Sequence, residues 1–271
     1  MWLDIGTGDI LGLYERAELY DIAFSYRDIA SEVDVLTDWY RRVTGRPGPA
    51  SVLELGAGPA QHARELARRG AEAWALDMSP VMSDYARAQA AAEGVRLEVV
   101  TADMTAFELP RRFDLALLMV NSAGHLLTEA LMVRHLECVA RSLTPGGIYV
   151  MEVAHPADDE KHPQGEPPRH WSTRRGQTTV DIHFGRPGDP LDAQHRIRTY
   201  TVELNANIAG RPTSFVEQLT LRAWKRQAID EAIQRTGRFG DVRIYGDFSS
   251  DMPLDHPEAW RMIYVMQRAD R

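Results

Sequence analysis

The chain has 271 residues, 44% of them hydrophobic, and a formal net charge of −8; that length supports one large α/β core with an appended subdomain, and the acidic balance argues against a surface that tracks nucleic-acid phosphates. Cys138 is the only cysteine, which excludes an intrachain disulfide and a thiolate metal site. The longest apolar run, Leu115 to Val120, falls far short of the ~18 residues that cross a bilayer, so a soluble, cytoplasmic protein with a small-molecule partner is expected, and neither membrane nor nucleic acid.

In chain order, Leu3-Asp-Ile-Gly-Thr-Gly-Asp9 mimics a glycine turn but has too little chain before it for a central strand, and reads as an N-terminal turn. Leu13 to Asp28, which carries Tyr14, Tyr20 and Tyr26, is expected to be helical in part. Ile29, Val33, Leu36, Tyr40 and Val43 recur at helical spacing and predict an amphipathic helix over 29–44, ended by Gly45 to Ala50. Ser51 to Leu55 reads as a buried strand that closes on Gly56-Ala57-Gly58, followed by a helix over 61–69 stopped by Gly70. Ala71 to Leu76 forms a second strand, whose end delivers Asp77 about 20 residues after the turn, where an acidic side chain meets ribose hydroxyls. Strand and helix then alternate to Glu152, with helices near 80–92 and 129–142, the latter striped by Met132, Leu136, Val139 and Leu143.

The glycine spacing separates two cofactor classes. A dinucleotide fingerprint places its third glycine at position 61, where this chain has Gln61. Read as G-x-G-x-G, the positions are Gly56, Gly58 and Ala60, the last being the next smallest residue. Here the sequence resembles the class I S-adenosylmethionine (SAM)-dependent methyltransferases, whose first motif has the form E/D-x-G-x-G-x-G. Three further stretches resemble that family in order and spacing: Leu97 to Met104 as the third strand with its Asp-Met end, Phe113 to Ser122 as the fourth strand and its loop, and Leu143-Thr-Pro-Gly-Gly to Glu152 as the turn and fifth strand. Together they cover roughly residues 50 to 155. The resemblance implies a doubly wound, Rossmann-like seven-stranded α/β sheet with SAM as cofactor. It assigns cofactor contacts to Glu54, Gly56, Ala57, Gly58, Asp77, Met78, Ala102, Asp103, Met104, Val120 and Asn121.

After Glu152 the pattern changes. His155 to Arg175 is rich in Pro, His and charge and reads as a loop crossing the mouth of the site. Thr178 to Phe184, Arg196 to Ile208 and Ser214 to Arg222 alternate with period two and predict antiparallel strands, with Ala209 to Pro212 as a hairpin turn. A helix from about Lys225 to Arg235 and two final strands, Val242 to Tyr245 and Arg261 to Gln267, complete the chain. The expected division is a helical lid segment over 1–48, the cofactor-binding core over 49–155, a loop and antiparallel platform over 156–224, and a C-terminal return over 225–271. An insertion there, with an N-terminal tyrosine segment, resembles the small-molecule N-methyltransferases acting on glycine and amino sugars. Their Tyr-Asp-x-x-aromatic segment is matched by Tyr20-Asp-Ile-Ala-Phe24, so Tyr20 and Tyr26 join the expected cofactor contacts, Tyr26 as first choice for the sulfonium. The platform strands offer edges on which a homodimer can pair, and nothing in the pattern compels one.

His125, just after the fourth strand, is the candidate catalytic base, against the alternative of a histidine bonded only to backbone. His155 is a weaker candidate, and Trp171, His183, Arg198 and Tyr200 either line the acceptor pocket or pack the platform, the second reading being preferred. Asp77 competes with Ser79 for a helix-cap role, Asp103 is otherwise a turn aspartate, and Glu54, inside a buried strand, needs a donor from the cofactor or from neighbouring backbone. The histidines show no metal-ligand spacing, so no metal is expected. With only Lys161 and Lys225 present, Schiff-base chemistry has few candidates. Methyl transfer to an amine nitrogen of a small secondary metabolite is the expected function, with oxygen or carbon acceptors, a non-catalytic SAM-binding protein and a nicotinamide oxidoreductase as alternatives.

Overall fold

A computed structural model describes residues 12–156, 169–249 and 251–269; the glycine-containing stretch Leu3 to Asp9 and most of the expected mouth loop lie outside them. Among the described residues twelve strands, numbered in chain order, form two sheets. The larger contains β1 (Ser51–Leu55), β2 (Glu72–Asp77), β3 (Leu97–Thr101), β4 (Phe113–Leu118), β5 (Leu143–Ala154), β11 (Phe239–Tyr245) and β12 (Arg261–Arg268) in the order β11-β12-β5-β4-β1-β2-β3. The first five are parallel, and β12 runs antiparallel between β5 and β11.

Alternation along the central strands sends side chains to two covered faces, which is why these strands read as nearly continuous apolar runs. Leu53, Leu55, Leu118, Tyr149 and Met151 pack on one face with residues of α5 (Glu129–Ser142) and α6 (Arg226–Thr236). Val52, Leu115, Leu117, Ile148 and Val150 pack on the other with α2 (Ile29–Thr44) and α3 (Gln61–Arg68) and with Ala86 of α4 (Pro80–Glu93). Local chemistry sets the helix ends: Asp28 accepts from the Ser31 N–H at the start of α2, Ser79 and Thr128 do the same for α4 and α5, and left-handed Gly45 and Gly94 stop α2 and α4.

The second sheet runs β10 (Arg211–Arg222), β9 (Ile197–Ile208), β7 (Thr178–Phe184), β6 (Arg169–Arg175), with the short β8 (Leu191–Asp192) also paired to β9. Its apolar face, with Val180, Ile182, Val202, Leu204 and Ala206, packs on Leu19, Ile22 and Ala23 of α1 (Ala17–Ala23). β6 corrects the expectation of loop from His155 through Arg175. Its Arg-His-Trp-Ser-Thr-Arg-Arg sequence lacks strand patterning, because its inward positions are defined by hydrogen bonding instead. Trp171 Nε1 donates to Ala23 O (2.8 Å), Thr173 Oγ1 to Ile22 O (2.7 Å) and Arg175 to the Asp21 carboxylate (2.6 Å). These alternate residues share one face of β6, and Trp171 and Thr173 donate to the C-terminal carbonyls of α1, groups that a helix end leaves without intrahelical partners. β10 begins at Arg211 and includes Pro212, tolerated because β10 is an edge strand. The hairpin turn is therefore only Ala209-Gly210, both at positive φ. Among the described residues no helix is long and apolar enough to cross a membrane.

Candidate active site

β1 is flanked by β4 on one side and β2 on the other, so the winding reverses there and leaves a crevice at the carboxyl ends of the strands. A cavity of about 800 Å³ fills this crevice, between the strand tips and the covering α1 and second sheet.

Its strand-side wall starts with the turn after β1. Gly56 and Gly58 have φ of +52° and +49°, where a side chain is strained, and a Cβ on Gly56 would lie 3.3 Å from Ser122 Cβ. The bare backbone leaves room for a ligand to approach. Asp77 clamps the turn from β2: its Oδ2 accepts from Gly58 N–H (2.7 Å) and its Oδ1 from Ser79 N–H (2.8 Å). Ser79 itself caps α4, so Asp77 is not the cap residue. Burial raises the Asp77 carboxyl above its ordinary range, and those two backbone donors work against the rise. Met78, Ala102, Asp103 and Met104 continue the wall. Asp103 Oδ1 accepts from both Thr105 N–H (2.7 Å) and Thr105 Oγ1 (2.9 Å), the turn-aspartate geometry, at a position that also lines the cavity. Beneath this loop, buried His135 bonds Met104 O through Nδ1 (3.0 Å) and Tyr149 Oη through Nε2 (2.6 Å); a carbonyl only accepts, so Nδ1 carries the proton. Burial pushes His135 down to about 4.

The opposite wall follows β4. Val120 and Asn121 are both left-handed, at φ of +55° and +57°, a rare conformation for a β-branched residue. Asn121 Oδ1 accepts from Ala154 N–H (3.0 Å), and a 3-10 turn, Ser122–His125, carries His125 into the cavity. His125 Nε2 lies 3.0 Å from Tyr14 Oη of the covering segment. The cavity walls around His125 desolvate its ring, although the residue is exposed, and so lower it below the usual imidazole range; burial raises the Tyr14 hydroxyl well above its own, so near neutral pH the ring is mostly uncharged and the phenol protonated.

Beside this wall, on the α2–α3 face, lies a buried chain of charges. Arg27 is bidentate to Glu152 (3.0 Å to each oxygen) and bonds Glu32 (2.8 Å). Arg261 Nε donates to Glu152 Oε1 (2.8 Å), and Val120 N–H donates to Glu152 Oε2 (2.8 Å). His62 stands between Glu32 (2.8 Å from Nε2) and Glu54 (3.2 Å from Nδ1), and Glu54 also accepts from Ala63 N–H (2.7 Å). A ring with carboxylates at both nitrogens must donate from both, so it is an imidazolium. Burial alone would lower His62, but the two carboxylates carry it up to about 9. Glu152 is held down at about 2 by Arg27 and Arg261 against its burial.

Of the residues singled out from sequence, Tyr20, Tyr26, Gly56, Gly58, Asp77, Met78, Ala102, Asp103, Met104, Val120, Asn121 and His125 line the cavity. Glu54 and Ala57 do not: Glu54 is spent on His62 and Ala63, and the Ala57 N–H donates to Leu76 O (3.1 Å). Tyr26 sits at the rim, 54% exposed, whereas the Tyr20 ring lies 3.7 Å from the Gly58 Cβ position, which makes Tyr20 the tyrosine next to the glycine turn. His155 lies outside the lining and bonds Leu254 O (3.0 Å). Trp171 and Tyr200 line the cavity, whereas His183 stacks on His170 at the surface and Arg198 lies over the Tyr200 ring. Tyr14, Phe184, Leu221, Arg222 and Arg261 also line it without having been singled out as contacts. No local signal marks them, since each reaches the cavity from a distant part of the chain.

Residues 52–147 match the family described as "Methyltransferase domain". Two relatives match about half of the chain. The dTDP-3-amino-3,4,6-trideoxy-alpha-D-glucopyranose N,N-dimethyltransferase of Streptomyces venezuelae is 29% identical over 143 residues, 51% of this chain and 56% of the relative. The dTDP-3-amino-3,6-dideoxy-alpha-D-glucopyranose N,N-dimethyltransferase of Streptomyces fradiae is 32% identical over 140 residues, 51% and 52%. The chain thus spans about half the length of these curated relatives. Among solved structures, DesVI of Streptomyces venezuelae superposes with a TM-score of 0.73 at 21% identity, covering 93% of this chain and 97% of that one. The sugar N-methyltransferase KedS8 of a Streptoalloteichus species gives 0.70 at 23%, covering 97% and 95%. At such identities the structural likeness carries the fold.

Proposed function

We propose that this chain, whose residues 52–147 are a methyltransferase domain, is a SAM-dependent enzyme that methylates an amine nitrogen of a small secondary metabolite, with amino sugars as the acceptor class. The acceptor class follows the names of the two matched relatives. One observation carries the reading: a single cavity has the Asp77-clamped glycine turn on one wall and the neutral His125, bonded to Tyr14, on the other.

SAM fits the first wall. Bare glycine backbone meets the ligand closely, Asp77 and Asp103 are carboxylate acceptors for ribose hydroxyls and an adenine amino group, Met78 and Met104 offer apolar contact, and Tyr20 closes over Gly58. When bound, SAM supplies an electrophilic methyl group on a sulfonium. The chain's own residues align the acceptor and keep water away, using the apolar cover from Phe24, Trp171, Phe184 and Leu221. Holding the two reactants in line is worth ~7 to 11 kcal/mol. Keeping an ordinary amine of pKa ~10.4 neutral at pH 7 costs ~4.6 kcal/mol, so alignment outweighs proton removal. His125, uncharged and with one ring nitrogen able to take a proton, receives the proton the acceptor nitrogen releases, and Tyr14 orients the ring.

The test is calorimetric titration of SAM into wild type and Asp77→Ala, with a tritiated-methyl transfer screen over amino sugars and other amines. Expected are a loss of at least tenfold in affinity for the variant and labelled amine product for wild type. Equal affinities, or no product from any amine, would refute the assignment.

A further inference from the structure

The segment that carries His125 begins with two successive left-handed residues, Val120 and Asn121, and neither is glycine. A β-branched residue does not adopt that conformation unless its surroundings enforce it. The enforcing contacts come from β5. Leu118, the last residue of β4, is level with Met151 of β5, so Glu152 lies one step beyond the strand's end, where the chain departs. Its side chain is fully buried, and Oε2 accepts the Val120 N–H at 2.8 Å. Two residues on, the Ala154 N–H holds the Asn121 side chain at 3.0 Å.

We propose that Glu152 is a positioning residue: its carboxylate fixes the Val120–Asn121 pair in the left-handed form, and through it the placement of His125 at the acceptor side of the cavity. The consequence for turnover rests on the methyl-transfer reading above; the conformational claim does not.

Although removing Glu152 alone would strand Arg27 and Arg261, an apolar replacement of the whole cluster would match its stability, because a buried ion pair is weak evidence for stability. What such a replacement lacks is an acceptor for the Val120 N–H. The cations serve this arrangement. Arg27, bidentate, and Arg261, through Nε, keep the carboxylate ionised and aimed, and Arg27 is itself steadied by Glu32. Arg261 also lines the cavity, so the same carboxylate sets one of its cationic side chains. Arg27 lies between α1 and α2, which couples the covering segment to the strained turn.

Glu152→Asp separates the two roles. It keeps the charge, which the flexible arginines can follow, but withdraws the acceptor by about 1.5 Å from a fixed backbone N–H. The expected results are at least tenfold faster amide hydrogen exchange across 120–125 and a roughly hundredfold lower kcat. Adding Val120→Gly to Glu152→Asp should recover about tenfold in kcat, because glycine takes a positive φ without enforcement. Exchange and kcat at wild-type levels in Glu152→Asp would overturn the proposal, as would a double variant, Glu152→Asp with Val120→Gly, no better than the single one. If Glu152→Asp does not fold, Glu152→Gln, whose amide oxygen still accepts the Val120 N–H, should keep protection across 120–125 within threefold of wild type, and at least tenfold faster exchange there overturns the proposal. Absence of methyl transfer by wild type would refute the functional reading alone, because the exchange arm still decides the role of Glu152.

Discussion

The wall built from the tips of β1, β2 and β3 and the wall built from β4, β5 and the covering segment enclose one cavity but are held by different forces. The first is a set of backbone turns closed by short local bonds. Asp77 reaches back 19 residues to Gly58, Asp103 bonds Thr105 two residues on, and His135 beneath them is buried neutral. The second depends on charge and on distant parts of the chain: Arg27 meets Glu152 across 125 residues, and Tyr14 meets His125 across 111. A turn of bare backbone suits a ligand whose shape is fixed. A wall assembled from remote segments can change its lining without disturbing the cofactor side.

The largest effect expected from breaking this contrast comes at the turn itself. Gly56→Val places a branched side chain at φ +52°, against Ser122, and should weaken SAM binding by about 100-fold in calorimetry, ~2.7 kcal/mol. His125→Asn should act only on the other wall, lowering kcat by about 100-fold while SAM affinity stays within threefold; parallel losses in both would contradict the separation.

A subtler measurement concerns the charge chain. The folded pKa of His62 is raised to about 9 from an ordinary 6.5. A raised value means that its stabilisation is fully present below pH 6.5 and is lost as pH climbs through 9, by at most ~3 kcal/mol. His135 has the opposite sign. Its folded pKa, about 4, lies below 6.5, so its contribution is full above pH 6.5 and is lost as pH falls toward 4. Thermal unfolding should therefore peak near pH 6.5, and His62→Gln should flatten the alkaline limb while leaving the acid limb unchanged. A wild-type profile level from pH 6 to 9 would show that the imidazolium adds nothing.

The same contrast explains what the sequence disclosed. The elements of the first wall were legible because their determinants lie within one βα unit: an apolar run, two glycines, a small residue at Ala60, and an acidic residue at the next strand's end. Helix α2 was legible in full, at 29–44, from its apolar spacing and the stop that begins at Gly45. Strand β6 was not, since Arg-His-Trp-Ser-Thr-Arg-Arg becomes a strand through β7 and through carbonyls of α1 some 150 residues earlier. Glu54 shows the limit from the other side. Its position at the end of β1 suggests a ligand, but His62, three residues beyond Pro59, provides an internal cation that no spacing rule announces. Tyr14 gave no sign at all, being one tyrosine among three in a short segment.

The three donors on β6 that seize the end of α1 have a practical corollary for protein engineers. Trp171, Thr173 and Arg175 bind carbonyls and a carboxylate belonging to residues 21–23, so the two pieces above the cavity behave as a single graft. A chimera that imports a foreign antiparallel sheet must bring its own N-terminal helix along, or lose these three ties and hold the helix only through its contacts to the core, such as Tyr85 to Asp21.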